Sequence, residues 1–191
     1  MIIYIHGFGG SGQGMKASIL RKELQKHHSI IAPTLSYLPD LAIDTLSQII
    51  ESLQKYEEIY LIGSSLGGYF SIYLANKYNL KAALINPSIH PDDTLRKMKG
   101  YALNYGDLSK FEWNQGHIDM LNRYKLEKEK IEPSHYLLLT QTGDELLDYK
   151  VGIEYLKKSK QIVIKGGDHS FIGIENYLNE ILDFFGLNND S

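Results

Sequence analysis

The sequence predicts an α/β fold in which helices cover both faces of a parallel β-sheet. Short apolar runs, bounded by glycine or proline, alternate along the chain with amphipathic helical patterns. Strands that alternate with helices in this way are typical of a parallel sheet between two helical layers. The chain of 191 residues contains no internal repeat and no linker, so we expect a single domain over residues 1–191.

The first predicted strand leads into a glycine-rich loop. Residues 2–6 form a short apolar run, rich in isoleucine, that ends at this loop. Apolar side chains at helical spacing then predict a helix over residues 15–28. A second strand over residues 29–32 ends at Pro33, and a second helical pattern occupies residues 40–53.

The middle of the chain repeats the alternation. The third strand, residues 58–63, turns on small residues into a helix over residues 66–78, and Asn79 is a suitable C-terminal stop for this helix. The fourth strand, residues 81–86, is closed by Pro87. These elements complete two further strand–helix–strand units of the predicted sheet.

Residues 88–133 break this rhythm. They contain few apolar runs, several aromatic side chains and a charged stretch. A structureless connection of this length would be unusual inside a compact domain, so we expect a small cap insertion built from short helices. Tyr101, Tyr105 and Trp113 are candidate substrate-binding residues that could line an acyl pocket, although packing of the cap against the body is the commoner use of aromatic side chains.

The C-terminal part returns to the alternating pattern. A fifth strand is predicted over residues 135–140, followed by a helix over 148–158, a sixth strand over 161–165 and a last helix over 173–185. The polar tail from Asn188 is expected to fray.

Composition narrows the possible partners. A net charge of −3 gives no electrostatic reason to expect nucleic acid or a membrane as a partner. The absence of cysteine excludes disulfides, thiolate catalysis and cysteine-based metal sites, and no metal or cofactor is predicted. No apolar run approaches the roughly 18 residues of a spanning helix, and the N-terminus lacks a basic signal-peptide region. We therefore expect a cytoplasmic protein; its oligomeric state is left open.

The third strand ends in Gly63-Ser64-Ser65-Leu66-Gly67, which reads G-x-S-x-G. This spacing is typical of a nucleophile elbow, in which a serine sits on a strained turn between a strand and a helix. Glycines are needed on either side because a side chain there would collide with the neighbouring strand or helix. We therefore predict Ser65 as a nucleophile; Ser64 is the adjacent alternative, but its side chain is expected to point away from the exposed apex.

A serine nucleophile needs a base and a group that orients this base. In an open parallel sheet such groups gather at the carboxyl ends of the strands, where Asp144 follows the fifth strand and His169 follows the sixth. Histidine would act as general base and aspartate would hold its tautomer. The rivals of Asp144 are Glu145, which is its neighbour, and two further acids, Asp148, which begins a helix, and Asp168, which is adjacent to the histidine.

Several stretches together resemble the α/β-hydrolases, and more closely the small bacterial YqiA-type esterases. The matching stretches are YIHGF, GSSLGGY, INP, QTGDELLDY and GGDHSF. The resemblance implies a three-layer α/β/α fold with Ser65, Asp144 and His169 as a catalytic triad. The usual hydrolase fold begins with an antiparallel hairpin for which this chain has no room. We therefore expect a reduced sheet of six parallel strands in the order 2-1-3-4-5-6.

The resemblance also implies an oxyanion hole. Its donors would be the backbone N–H groups of Phe8, in the loop after the first strand, and of Leu66, directly after the nucleophile. His6, which precedes this loop, is expected to have a structural role. The loop also matches the dinucleotide fingerprint G-x-G-x-x-G, but no acidic residue ends the second strand as that fingerprint requires.

The predicted function is hydrolysis of a small acyl ester or thioester through an acyl-enzyme. Two alternatives stay open on the same sequence. One is another reaction class on this scaffold, such as acyl transfer or a lyase reaction. The other is a non-catalytic binding protein that keeps a hydrolase fold.

Overall fold

A computed structural model describes residues 1–188 of the chain, so residues 189–191 of the predicted frayed tail lie outside it. The described residues form eight strands: β1 (Ile2–Ile5), β2 (Ile30–Ile31), β3 (Tyr60–Ser64), β4 (Lys81–Ile85), β5 (Gly100–Leu103), β6 (Lys110–Trp113), β7 (Tyr136–Gln141) and β8 (Lys160–Ile164). Six of them build one sheet in the order β2-β1-β3-β4-β7-β8, and all its neighbours pair in parallel. The predicted sheet and its strand order are therefore confirmed.

The helices lie on both faces of this sheet. They are α1 (Met15–Leu24), α2 (Pro39–Leu53), α3 (Leu66–Tyr78), α4 (Pro91–Thr94), α5 (Gln115–Asn122), α6 (Tyr149–Tyr155) and α7 (Leu178–Phe185). Alternate residues of each strand serve opposite faces. In β1, Ile3 and Ile5 pack with α2 and α3, whereas Ile2 and Tyr4 pack with α1 and α7. Two separate apolar cores result, which is the three-layer arrangement predicted from the sequence.

Three predicted helices are shorter in the structure, and the one predicted over residues 148–158 spans only Tyr149–Tyr155. The first ends at Leu24 instead of residue 28. The last begins as a 3-10 turn over Ile174–Tyr177 and becomes α-helical at Leu178. Gly173 starts this turn with a positive φ of 81°. Among residues 1–188, no helix combines the length and apolar character needed to cross a membrane.

The segment 88–133 contains more than short helices. It folds as α4, a 3-10 turn, the antiparallel hairpin β5–β6, then α5 and a second 3-10 turn. The hairpin was not predicted, because both strands are only four residues long and expose one face. Hydrogen bonds hold the segment on the body: the Tyr69 hydroxyl donates to the Leu121 carbonyl over 2.7 Å, and the Tyr155 hydroxyl donates to the Leu126 carbonyl.

Candidate active site

Ser65 occupies the sharp turn between β3 and α3. Its backbone has φ 55° and ψ −119°, a conformation that costs an L-residue on the order of 1–3 kcal/mol. The surrounding structure imposes this conformation, since the Ser65 N–H donates to the Ile85 carbonyl over 3.1 Å and its own carbonyl accepts from the Ser88 N–H over 3.0 Å. The strained turn presents the serine side chain at the carboxyl end of the sheet, as a nucleophile elbow does.

Two glycines make this turn possible. A Cβ atom added at Gly63 would lie 2.4 Å from the Gly67 carbonyl oxygen, and one added at Gly67 would lie 2.0 Å from the Ile5 carbonyl oxygen. Both obstacles are backbone atoms, which cannot move aside without shifting β1 or α3. The G-x-S-x-G spacing is therefore a steric requirement of packing α3 closely against β3 and β1.

The structure brings Ser65, His169 and Asp144 into one chain of hydrogen-bonding groups. The Ser65 Oγ atom lies 3.0 Å from His169 Nε2. The other ring nitrogen, Nδ1, lies 2.8 Å from Asp144 Oδ2 and 3.0 Å from Asp144 Oδ1. This arrangement leaves Nδ1 protonated and Nε2 free to accept the serine proton.

Asp144 is held in its ionised form. Its side chain is 2% exposed, against 18% for His169. Burial raises the pKa of Asp144, but the hydrogen bond from His169 and those from the N–H groups of Leu147 and Leu146, each over 2.9 Å, outweigh burial and lower this pKa below its ordinary value. The carboxylate can therefore stabilise an imidazolium on His169.

The rival residues occupy other positions. Ser64 is the last residue of β3 and is only 3% exposed. Asp148 caps α6 by accepting from the Lys150 N–H. Glu145 accepts from the backbone N–H of His169 over 3.0 Å, so it holds the histidine main chain and leaves the ring to Asp144. Within residues 1–188 the hydrogen-bond partners of the His169 ring are Asp144 and Ser65, and Asp168 is not among them.

The predicted oxyanion donors lie beside Ser65. Leu66 is the first residue of α3, and Phe8 follows Gly7, whose added Cβ atom would lie 3.5 Å from the Ser65 Oγ atom. Within residues 1–188 neither the Phe8 nor the Leu66 N–H donates to another protein group. The N-terminus of α3 also carries partial positive charge, which favours a developing anion at this point.

His6 has the structural contacts expected of it. Its Nδ1 atom lies 2.8 Å from the Gly7 carbonyl oxygen, and its Nε2 atom accepts from the Leu35 N–H over 2.9 Å. Both contacts are satisfied together only by the neutral tautomer with a proton on Nδ1. Burial lowers the pKa of His6, an effect that the hydrogen bond to Gly7 partly offsets. His6 thus ties the glycine-rich loop after β1 (residues 7–12, called the oxyanion loop below for its predicted role) to the loop after β2.

Two buried amides that the sequence did not single out support the loop that carries His169. Asn86, at the end of β4, donates to the carbonyls of Asp168 and His169 over 2.9 and 3.3 Å, and accepts from the Gln141 N–H over 2.9 Å. The side chain of Gln141 accepts from the Asp168 N–H over 3.0 Å and donates to the Ile172 carbonyl over 2.7 Å. The two amides therefore join the ends of three strands.

A weak signal for Asn86 existed in the sequence. It stands directly before Pro87 in the stretch INP, one of the matching stretches. In the structure its backbone has a positive φ of 40°.

Lys16 of α1 also contacts the loop that carries His169. Its side chain donates to the Ser170 carbonyl over 2.6 Å. Burial lowers the pKa of Lys16, while the nearby carboxylates of Asp168 and Asp144 act in the opposite direction.

The three aromatic candidates do not form a common pocket. Trp113 is fully buried and donates from Nε1 to the Leu95 carbonyl over 3.1 Å, so its ring is core packing instead of a substrate-facing wall. Tyr101 is 78% exposed on the outer face of the hairpin. Tyr105 is 65% exposed but contacts the oxyanion loop, where its N–H donates to the Gly9 carbonyl over 2.7 Å. Composition alone could not separate these environments.

Solved structures that superimpose on this chain share the α/β-hydrolase fold. Alpha/beta hydrolase domain-containing protein 10 from mouse superimposes with a TM-score of 0.70 at 16% identity, over 94% of this chain and 90% of that protein. Est1E from Butyrivibrio proteoclasticus, solved with ferulic acid bound, gives a TM-score of 0.74 at 14% identity, over 97% and 87% of the two chains. At identities of 14–16%, this structural similarity establishes a shared fold and nothing about the reaction.

Sequence comparison gives the family. A UPF0227 protein from Vibrio parahaemolyticus is 22% identical over 189 residues, covering 96% of this chain and 98% of that protein. A UPF0227 protein from Shewanella woodyi is 22% identical over 165 residues, covering 85% and 86%. The model of the uncharacterised protein family UPF0227 matches residues 1–186. The chain therefore belongs to the UPF0227 family, the family of the YqiA-type proteins that its motifs resemble.

Proposed function

We propose that this protein is a serine hydrolase that cleaves a small carboxylic ester or thioester through an acyl-enzyme. The observation that carries the proposal is the chain of contacts from Ser65 through His169 to Asp144 at a strained strand-to-helix turn. Each group has the partner that its role requires. The α/β-hydrolase fold supports the same reading at the level of the scaffold.

The chemistry follows from these positions. His169 Nε2 removes the hydroxyl proton as Ser65 Oγ attacks the carbonyl carbon of the substrate, and the resulting oxyanion accepts hydrogen bonds from the N–H groups of Phe8 and Leu66. His169 then donates its proton to the leaving alkoxide or thiolate, and the acyl group stays on Ser65. Water, activated by the same imidazole, releases the carboxylic acid and regenerates the serine.

In this proposal residues 88–133 form a cap within one domain.

The decisive test is Ser65→Ala compared with Ser64→Ala. Removal of the nucleophile is expected to lower kcat for p-nitrophenyl butyrate on the order of a millionfold, whereas Ser64→Ala should retain labelling by a fluorophosphonate and hydrolysis. Circular dichroism checks that both variants fold. Full activity of folded Ser65→Ala would refute the proposal.

Product analysis distinguishes hydrolysis from the other reaction class. With an added alcohol or amine as acceptor, a hydrolase is expected to yield mainly the carboxylic acid. Dominant transfer to the acceptor would identify an acyltransferase on the same acyl-enzyme. Failure of Ser65 to react with the fluorophosphonate would favour a non-catalytic binding protein.

A further inference from the structure

We propose that a cavity beside the oxyanion loop is the acyl pocket of this site, and that it restricts the enzyme to short acyl groups of up to about four or five carbons. This inference rests on the proposed function. The cavity has a volume of about 120 Å³. It lies between the oxyanion loop, the loop after β2, the start of α3 and the hairpin β5–β6. Its lining residues include Gly7, Phe8, Leu35, Leu66, Phe70 and Phe111.

The cavity adjoins the reacting atoms. Phe8 and Leu66, which supply the two proposed oxyanion donors, both belong to its wall. So does Gly7, whose backbone packs against Ser65. A carbonyl oxygen held by the two N–H groups therefore places one substituent of the carbonyl carbon at the mouth of this cavity.

The position of the general base decides which substituent of the carbonyl carbon enters the cavity. The leaving group must lie next to His169 Nε2, because this nitrogen protonates it. The described residues that line the cavity include none from the loop 141–147 that carries Asp144 and none from the loop 166–172 that carries His169. The cavity thus lies on the side of the carbonyl away from the histidine, and that side takes the acyl chain.

The volume limits the length of this chain. A cavity of roughly 150 Å³ in another protein holds benzene, a molecule of six carbons. A cavity of about 120 Å³ should therefore hold a slightly smaller group, an acyl chain of about four or five carbons. An eight-carbon acyl chain therefore has to leave most of its tail outside or displace the wall.

Phe111 is the side chain best placed to close the pocket. Its ring stacks on Tyr37 with centroids 4.4 Å apart and an interplanar angle of 20°. It also meets Phe8 edge to face at 5.5 Å. Aromatic contacts on two sides hold the ring in place, so the wall resists a longer chain. Leu35 and Phe70 supply further apolar surface for the acyl tail.

The test uses p-nitrophenyl acetate, butyrate and octanoate, which share one leaving group. For the wild-type protein we expect kcat/KM to be at least tenfold lower for octanoate than for butyrate. Phe111→Ala should raise the octanoate-to-butyrate ratio at least tenfold. Phe184→Ala is the matched control, because Phe184 is also half-buried but belongs to the core of the opposite face. It should leave the ratio unchanged.

The outcomes separate the pocket from the function. Two results would overturn the pocket: the wild-type protein hydrolyses octanoate as well as butyrate, or the octanoate-to-butyrate ratio is unchanged in folded Phe111→Ala. In either case, labelling of Ser65 by a fluorophosphonate would show that the proposed hydrolase function remains. If Phe111→Ala does not fold, Phe111→Leu and the wild-type chain-length profile decide. Absence of both labelling and ester hydrolysis would refute the proposed function, and the pocket with it.

Discussion

Replacement of Asn86 tests whether the buried amide network positions His169. The side chain is 2% exposed and connects the end of β4 to the ends of β7 and β8. In Asn86→Ala the Gln141 N–H loses its acceptor, and the carbonyls of Asp168 and His169 lose their donor. The loop that carries the histidine would then be attached through Gln141, Lys16 and Glu145.

The magnitude follows from two contributions. A buried N–H group left without an acceptor costs about 1–3 kcal/mol. Asn86 also has a φ of 40°, where alanine is strained by roughly 1–2 kcal/mol. Asn86→Ala should therefore lower the free energy of unfolding by about 2–5 kcal/mol, from a total that for such domains is about 5–15 kcal/mol. Asn86→Gly removes the same hydrogen bonds without the strain, so it should be the milder of the two variants.

Activity gives the second readout. A histidine displaced by about 1 Å can lose on the order of a hundredfold in rate, so kcat should fall strongly in both variants while KM changes little. Asn86→Asp keeps the acceptor for Gln141 but turns a buried carboxylate oxygen toward two carbonyl oxygens, and this repulsion should lower both stability and kcat. The measurements are urea unfolding and initial rates on p-nitrophenyl butyrate.

A matched control exists in the chain. Asn79 also has a positive φ, 57°, but it ends α3 at an exposed position. Asn79→Gly should retain both stability and kcat. If Asn86→Gly behaves like Asn79→Gly in both measurements, the amide network does not position His169 and the reasoning is refuted.

Two further predictions concern single contacts. Asp144→Asn should lower kcat about 10⁴-fold, because an amide that donates to His169 Nδ1 imposes the wrong tautomer; a loss below tenfold in initial-rate measurements would contradict the role given to Asp144. The pKa of His6 is lowered in the folded protein, so its contribution to stability is fully present above the ordinary pKa of about 6.5 and is lost as pH falls below that value. The urea midpoint should therefore drop between pH 7 and pH 5 more steeply in the wild-type protein than in His6→Gln; equal slopes would exclude His6 as the titrating group.

The sheet could be predicted from the sequence alone because the signals for each strand lie in the strand itself and in the residues that flank it. Each strand is an apolar run with its own stops, and the alternation with helices allows few arrangements of a parallel sheet. The same reasoning located the site residues. Ser65, Asp144 and His169 each follow a strand, and the carboxyl ends of parallel strands lie at one edge of the sheet. The structure places the His169 ring within hydrogen-bond distance of both Ser65 and Asp144.

Other features depended on contacts that no spacing reveals. Asn86 bonds partners that are 55, 82 and 83 positions away, and its role exists only when β4, β7 and β8 are adjacent. The hairpin β5–β6 is too short, and too exposed on one face, for its apolar pattern to stand out. Trp113 and Phe111 have similar sequence surroundings, yet one is core and the other lines the cavity. Local pattern thus determined the fold and the candidate triad, whereas tertiary packing decided what supports His169 and which side chains line the cavity.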